Sequence, residues 1–280
     1  MKEFTVDVNG AMLGYAERAA ASGNDDIPLV MLHGYLDSWK SWTNVLQDLP
    51  RGRRVISLTH RGWGDSAKTG NYTIDAYASD VTAFLSRLQV STCVLAGHSM
   101  GTLISTAVAA RDPDLLVDLI LCSASATMRP EHLLSPQERM TVKLFGDQIM
   151  NVFANDRAVS NAGIAFLRSF QLDDLRPFVE SGAVTHAFER QVMSETLKAT
   201  PRSYRDAWQS MLWSIRLPVL IIWGTADYVF NAKDQKILHA ALSQASVSTR
   251  HVQLAPHGVI WTHGPICAQH ILAWLKTVAL

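Results

Sequence analysis

Short, uninterrupted apolar runs recur along the chain and are separated by segments with helical periodicity. The runs are rich in Val, Ile and Leu, and they comprise Pro28–Leu32, Arg54–Leu58, Thr92–Ala96, Val117–Leu121 and Val219–Trp223. Runs of this length without polar alternation are typical of strands that are buried on both faces of a parallel sheet. Strands that alternate with helices predict an α/β fold with a mostly parallel central sheet flanked by helices.

The first and last strands have their own signals. Phe4–Val8 alternates apolar and polar residues, Asn9 and Gly10 form a two-residue turn signal, and Ala11–Glu17 returns as a second strand. This combination predicts an antiparallel hairpin. Thr249–Leu254 is predicted to be the last strand of the sheet.

Helical periodicity is clearest in Ile74–Leu88, where the apolar residues share one face. Thr73 directly precedes this segment and is a predicted N-cap. A second helix, containing Leu103 and Ile104, follows the run Thr92–Ala96. Pro265 is predicted to lie in the first turn of a final helix.

The alternation of strands and helices breaks between about Met128 and Ile215. This stretch is rich in Met, Phe and Leu, and it has several helical patterns but no convincing strand. We interpret it as a helical cap inserted between two strands of the sheet. The predicted organisation is therefore a core domain of residues 1–127 and 216–280, with a cap over residues 128–215.

Composition argues against several classes of partner. The 280 residues carry 25 basic and 25 acidic side chains, so the formal net charge is zero, and we expect neither a nucleic-acid partner nor a membrane partner. The N-terminal segment lacks the apolar stretch of a signal peptide, and no run approaches the ~18 apolar residues of a membrane helix. Cys93, Cys122 and Cys267 are widely spaced. We expect them to be buried thiols in a reducing, cytoplasmic compartment.

The segment Gly97–Gly101 (GHSMG) is the strongest chemical signal. A G-x-S-x-G pattern occurs by chance in roughly one chain in ten of this length, so its position decides its meaning. Here it follows a predicted strand directly and begins a predicted helix. A serine on such a tight turn is strained and exposed, and the flanking glycines allow close backbone contact. The sequence therefore predicts Ser99 as a nucleophile.

A serine nucleophile needs a histidine base and an orienting carboxylate, which in this arrangement follow it in the order acid, then histidine. Asp227 lies just beyond the run Val219–Trp223, whereas the end of Val117–Leu121 offers no carboxylate. For the base, His257 lies three residues beyond the predicted last strand and is favoured over His263. We expect His98 to support or pack beside the site and not to act as the base, because neighbouring side chains on a sharp turn diverge.

The oxyanion of a tetrahedral intermediate needs two N–H donors. One is predicted to be the amide of Met100, the residue after the nucleophile. The second is predicted to be the amide of Tyr35, in the segment His33-Gly34-Tyr35 after the run Pro28–Leu32. Gly34 would allow the backbone to approach closely.

Together these motifs resemble those of the α/β-hydrolase superfamily, in the branch of small esterases, lactonases, perhydrolases and C–C bond hydrolases. The matching segments are His33–Tyr35, Arg61–Ser66, Gly97–Gly101, Trp223–Asp227 and His257. The resemblance implies an α/β-hydrolase fold with a helical cap, a triad of Ser99, Asp227 and His257, and an oxyanion hole of the Tyr35 and Met100 amides. Two departures are His60, where the family often has Asp before the Arg-Gly pair, and Pro256, where glycine usually precedes the base.

The function that we predict from the sequence is hydrolysis of a neutral, largely apolar ester or lactone through an acyl-enzyme, with no metal or organic cofactor. The alternatives are a C–C bond hydrolase acting next to a ketone and a hydrolase-derived small-molecule receptor. A serine nucleophile argues against epoxide hydrolase and haloalkane dehalogenase chemistry, for which the superfamily uses Asp. The predicted substrate contacts are His33, Gly34, Trp208, Met211, Ile260 and Trp261.

Overall fold

A computed structural model describes residues 1–20, 27–35, 37–126, 208–227 and 229–278. Residues 128–207, which make up most of the predicted cap, lie outside the described residues. The division into core and cap stays a prediction.

The described residues contain one eight-stranded sheet, in the order β1-β2-β4-β3-β5-β6-β7-β8. β2 is antiparallel to β1 and β4, and the remaining neighbours are parallel. This confirms the predicted α/β fold with a mostly parallel central sheet. The strands are β1 (Lys2–Val8), β2 (Ala11–Arg18), β3 (Leu29–Leu32), β4 (Val55–Leu58), β5 (Cys93–His98), β6 (Leu116–Cys122), β7 (Val219–Gly224) and β8 (Val247–Val252).

Helices flank the sheet among the described residues. They are α1 (Thr43–Asp48), α2 (Ile74–Arg87), α3 (Met100–Arg111), α4 (Ala232–Ala241), α5 (Val259–Thr262) and α6 (Gly264–Val278), with short 3-10 turns at Trp39–Trp42 and Pro113–Leu115 and a helical segment at residues 208–214. The Thr73 side chain accepts a hydrogen bond from the Ala76 amide, which confirms the predicted N-cap of α2. The β1–β2 turn has positive φ angles at Asn9 and Gly10, as a two-residue hairpin turn requires.

The parallel strands are buried on both faces, because their side chains alternate between two apolar clusters. In β3, Val30 and Leu32 pack with α2 and α3 on one face, while Leu29 and Met31 pack on the other face with α1 and α6. This explains why these strands appear in the sequence as continuous apolar runs. The carboxyl ends of β5, β6 and β7 meet at one edge of the sheet, where the connecting loops can bring distant residues together.

Candidate active site

Ser99 lies on the tight turn between β5 and α3. Its φ of 49° and ψ of −113° are outside the usual regions for a residue with a side chain, and such a conformation costs about 1–3 kcal/mol. The turn is held by hydrogen bonds on both sides of the residue. The Ser99 amide donates to the Cys122 carbonyl at 3.1 Å, and its own carbonyl accepts from the Thr102 amide at 2.9 Å.

The glycines on either side of Ser99 are required by close backbone packing. A Cβ atom on Gly97 would lie 2.3 Å from the Gly101 carbonyl oxygen, and one on Gly101 would lie 2.5 Å from the Leu32 carbonyl oxygen. No side chain fits at these distances. The G-x-S-x-G pattern therefore allows α3 to pack directly against the ends of β3 and β5.

His257 links Ser99 to Asp227. Its Nε2 atom lies 2.9 Å from Ser99 Oγ, and its Nδ1 atom lies 3.0 Å from Asp227 Oδ2. The other carboxylate oxygen of Asp227 accepts the amides of Val229 and Phe230 at 2.9 and 2.8 Å. Because a carboxylate can only accept, a neutral form of the His257 ring donates from Nδ1 in this geometry, which leaves Nε2 to accept the Ser99 hydroxyl proton.

The loop that carries His257 packs tightly against the end of β7. A Cβ atom on Gly224 would lie 2.2 Å from the Ala255 carbonyl oxygen, and the Ala226 amide donates to that same oxygen. The Phe230 ring meets the His257 ring edge-on at a centroid distance of 5.1 Å. The rival base, His263, instead has its Nδ1 atom 2.8 Å from Thr262 Oγ1.

The predicted oxyanion loop follows β3 and passes close to Ser99. A Cβ atom on Gly34 would lie 3.2 Å from the Ser99 Cβ atom. His33 Nε2 accepts the His60 amide at 2.9 Å, so its Nδ1 donates to the Gly34 carbonyl at 2.7 Å. Burial holds the pKa of His33 well below its ordinary value, so the ring is neutral and both nitrogens hold the loop. Tyr35 follows directly, with its ring edge-on to Trp63.

The six predicted substrate contacts differ in accessibility. His33, Ile260 and Trp208 are buried, and the Trp208 indole donates to the Ser125 carbonyl. Gly34 is also buried, whereas Met211 and Trp261 are partly exposed. As placed, the His33 ring has no nitrogen left for a substrate. Contact between the other residues and a substrate stays a prediction.

Sequence reasoning missed two residues that contact His257, namely Ser123 and Phe230, and it did not predict the partner of His98. Ser123, directly after β6, donates its hydroxyl to the His257 carbonyl at 2.7 Å. His98, which we expected to support or pack beside the site, donates from Nε2 to that same carbonyl at 3.0 Å. Both contacts end on a main-chain atom, and no residue-type pattern in the sequence signals such an acceptor.

The remaining sequence expectations concern the cysteines and membrane association. Cys93, Cys122 and Cys267 are free and buried as predicted, and burial raises the pKa of Cys93 and of Cys267 to about 12. These two thiols are therefore not poised as nucleophiles. Within the described part of the chain, no helix has the length and apolar character needed to cross a bilayer.

Residues 27–264 match a family model described as the alpha/beta hydrolase fold. The Non-heme chloroperoxidase of Streptomyces lividans is 26% identical over 260 residues, which cover 90% of this chain and 93% of that protein. The sn-1-specific diacylglycerol lipase ABHD11 of Danio rerio is 33% identical over 110 residues. That match covers 39% of this chain, and the chain spans only about a third (35%) of the lipase.

One solved structure shares the fold. The enol-lactonase from Burkholderia xenovorans LB400 superposes with a TM-score of 0.73 at 20% sequence identity, over 97% of this chain and 99% of that one. At this identity the likeness establishes the fold.

Proposed function

We propose that this chain, which belongs to the α/β-hydrolase family, is a serine hydrolase acting on a neutral, largely apolar carboxylic ester or lactone. One observation carries the proposal, namely the continuous hydrogen-bonded series from Asp227 through His257 to Ser99. These residues come from three separate loops at the carboxyl edge of the sheet. A serine, a neutral imidazole and a carboxylate in this order are the components of nucleophilic acyl transfer.

In the proposed mechanism, Ser99 Oγ attacks the substrate carbonyl while His257 Nε2 takes the hydroxyl proton. Asp227 keeps the imidazole in the correct tautomer and stabilises the imidazolium. The amides of Tyr35 and Met100 stabilise the oxyanion. His257 then protonates the leaving alcohol, and an acyl-enzyme remains. Water, activated by the same imidazole, releases the acid; from a lactone, the acid and the alcohol leave as one hydroxy acid.

Preference for an apolar acyl group is proposed from the surroundings of the three residues. The Phe230 ring contacts His257, and the partly exposed Trp261 ring packs against His98 at 5.1 Å. The zebrafish lipase and the bacterial enol-lactonase are named for cleavage of ester bonds, which supports the same bond type here. Each additional buried methylene should strengthen binding by about 0.8 kcal/mol until the pocket is full.

The proposal is tested by covalent labelling together with a substrate panel. A fluorophosphonate should attach to Ser99, and Ser99→Ala should lower kcat by about 10⁴-fold or more without unfolding the protein. Ser105→Ala, which removes a buried hydroxyl elsewhere on α3, is the matched control and should be labelled and active. Across p-nitrophenyl esters and lactones, kcat/KM should rise with acyl length. Normal turnover by Ser99→Ala, or a preference for carboxylate-bearing substrates over neutral ones of equal size, would contradict the proposal.

A further inference from the structure

We propose that His98 and Ser123 are a positioning pair that sets the orientation of the catalytic base by holding the main-chain carbonyl of His257. The inference rests on the proposed function, because it assigns His257 as the base. It concerns the main-chain carbonyl of His257 and not its imidazole ring. Neither His98 nor Ser123 would touch the substrate.

Two donors from different strands converge on one acceptor. His98 is the last residue of β5, and its Nε2 atom lies 3.0 Å from the His257 carbonyl oxygen. Ser123 directly follows β6, and its Oγ atom lies 2.7 Å from the same oxygen. The donors are 159 and 134 residues away from His257 in sequence. A carbonyl oxygen has two lone pairs, so this pair can saturate it.

Both donors are themselves fixed. His98 is buried, and its ring lies edge-on to Trp261, while a Cβ atom on Gly34 would come within 3.0 Å of its Nδ1 atom. Burial and the nearby His257 imidazole lower the pKa of His98 to about 3. The ring is therefore neutral at physiological pH. Because the carbonyl can only accept, its single proton is on Nε2.

Ser123 is held in a similar way by the end of the sheet. It is fully buried and has a φ of 50°, and its amide donates to the Ile222 carbonyl at 2.9 Å. A left-handed conformation is unfavourable for a serine. In Ser123 this conformation turns the chain just after the pairing of β6 with β7 ends, and the side chain then reaches the loop before α5.

The consequence for catalysis follows from where the two donors are attached. His257 is held at Nδ1 by Asp227 and at its carbonyl by the pair, so the backbone from which the ring projects cannot rotate freely. His98 is also the covalent neighbour of Ser99. Any movement at the end of β5 therefore shifts the nucleophile and the backbone of its base together. A misplacement of about 1 Å between reacting groups can cost roughly 10²-fold in rate, so this coupling has a measurable effect.

The test removes each donor and then restores one of them. In Ser123→Ala and in His98→Leu, kcat for a p-nitrophenyl ester should fall roughly 10- to 100-fold, with KM changed less than about twofold. In His98→Gln the side-chain amide can place an N–H near the original Nε2 position, and most of the lost kcat should return. Ser105→Ala is again the matched control, with kcat unchanged.

A proton NMR signal gives a readout that does not depend on turnover. The Nδ1 proton of His257, held by Asp227, should give a far-downfield resonance in the wild type that broadens or moves in Ser123→Ala and His98→Leu and returns in His98→Gln. Unchanged kcat and an unchanged resonance in folded Ser123→Ala and His98→Leu would overturn the inference. So would a loss of kcat that His98→Gln does not recover. Failure of the proposed function would give a different result from failure of this inference, because the wild type itself would then lack both turnover and labelling at Ser99.

Discussion

Ser99 and Ser123 each lie one residue beyond the end of neighbouring parallel strands, and both have an unusual positive φ, of 49° and 50°. Each donates its amide to a carbonyl of the next strand, Ser99 to Cys122 and Ser123 to Ile222. The hydroxyls then contact two ends of one residue, because Ser99 faces the His257 imidazole and Ser123 faces its carbonyl. The register of the parallel strands thus places the proposed nucleophile, Ser99, beside Ser123, which supports the proposed base.

The packing of α3 against the sheet predicts that Gly101 tolerates no side chain. In Gly101→Ala the new Cβ would lie 2.5 Å from the Leu32 carbonyl oxygen, so the helix must move. We expect a loss of about 2–4 kcal/mol in the free energy of unfolding, measured by urea titration. Gly10→Ala is the matched control. Its φ is +73°, but a Cβ there meets no atom within 4 Å, so the loss should be about 1 kcal/mol. Equal losses in the two variants would contradict this account.

The two candidate bases can be separated by substitution. His257→Ala removes the group that bridges Ser99 and Asp227 and should lower kcat about as much as Ser99→Ala does. His263→Ala removes only a side chain that contacts Thr262, so kcat should change by less than about threefold. The measurement is kcat on one p-nitrophenyl ester. An inactive His263→Ala beside an active His257→Ala would reverse the assignment.

Asp227→Asn should leave the fold intact and remove most of the activity. The Asn oxygen can still accept the amides of Val229 and Phe230, which places the new NH₂ group against His257 Nδ1. Nδ1 must then accept, the ring proton moves to Nε2, and Nε2 can no longer take the proton of Ser99. We expect kcat to fall by about 10⁴-fold, with an unchanged circular dichroism spectrum. Asp65→Asn, on an exposed loop, should retain full activity.

The sequence predicted the sheet and the residues at its carboxyl edge because both depend on local signals. Continuous apolar runs mark doubly buried strands, and the residues just beyond them must lie at one edge. The predicted strand ends differ from the observed ones by one or two residues at several places; for example, β8 begins at Val247 and not at Thr249.

Other elements were missed for physical reasons. α4 has little apolar character to mark it, although Asn231 and Asp234 form a capping box at its start. α5 is only four residues long. The contacts of His98 and Ser123 end on a main-chain oxygen that is over 130 residues away, and only the folded chain brings these groups together.

Three buried imidazoles predict how stability depends on pH. Burial lowers the pKa of His60 and of His98 to about 3, and it lowers the pKa of His33 well below 6.5. The unfolded chain takes up protons near pH 6.5, while the folded chain does so only at much lower pH. Stability due to these groups is therefore present above pH 6.5 and is lost as the pH falls toward 3.

Two buried carboxyl groups oppose this trend. Burial raises the pKa of Asp118 to about 7 and raises that of Asp37 well above its ordinary value. The folded chain holds these protons after the unfolded chain has lost them. The carboxyl groups therefore destabilise the fold as the pH rises from about 4 toward 7.

His60→Leu should reduce the loss of stability in acid, because it removes one of the three buried imidazoles. At pH 5 the unfolded wild type binds a proton on His60 that the folded protein does not bind, and the variant lacks this proton uptake. The free energy of unfolding of the variant, relative to that of the wild type, should therefore increase by about 2 kcal/mol between pH 7 and pH 5. The measurement is the free energy of unfolding in urea at both pH values. Ile56→Val, a buried substitution in the same strand region that does not titrate, should give the same difference from the wild type at both pH values. A difference for His60→Leu that does not change with pH would show that this imidazole is protonated equally in the folded and unfolded chains.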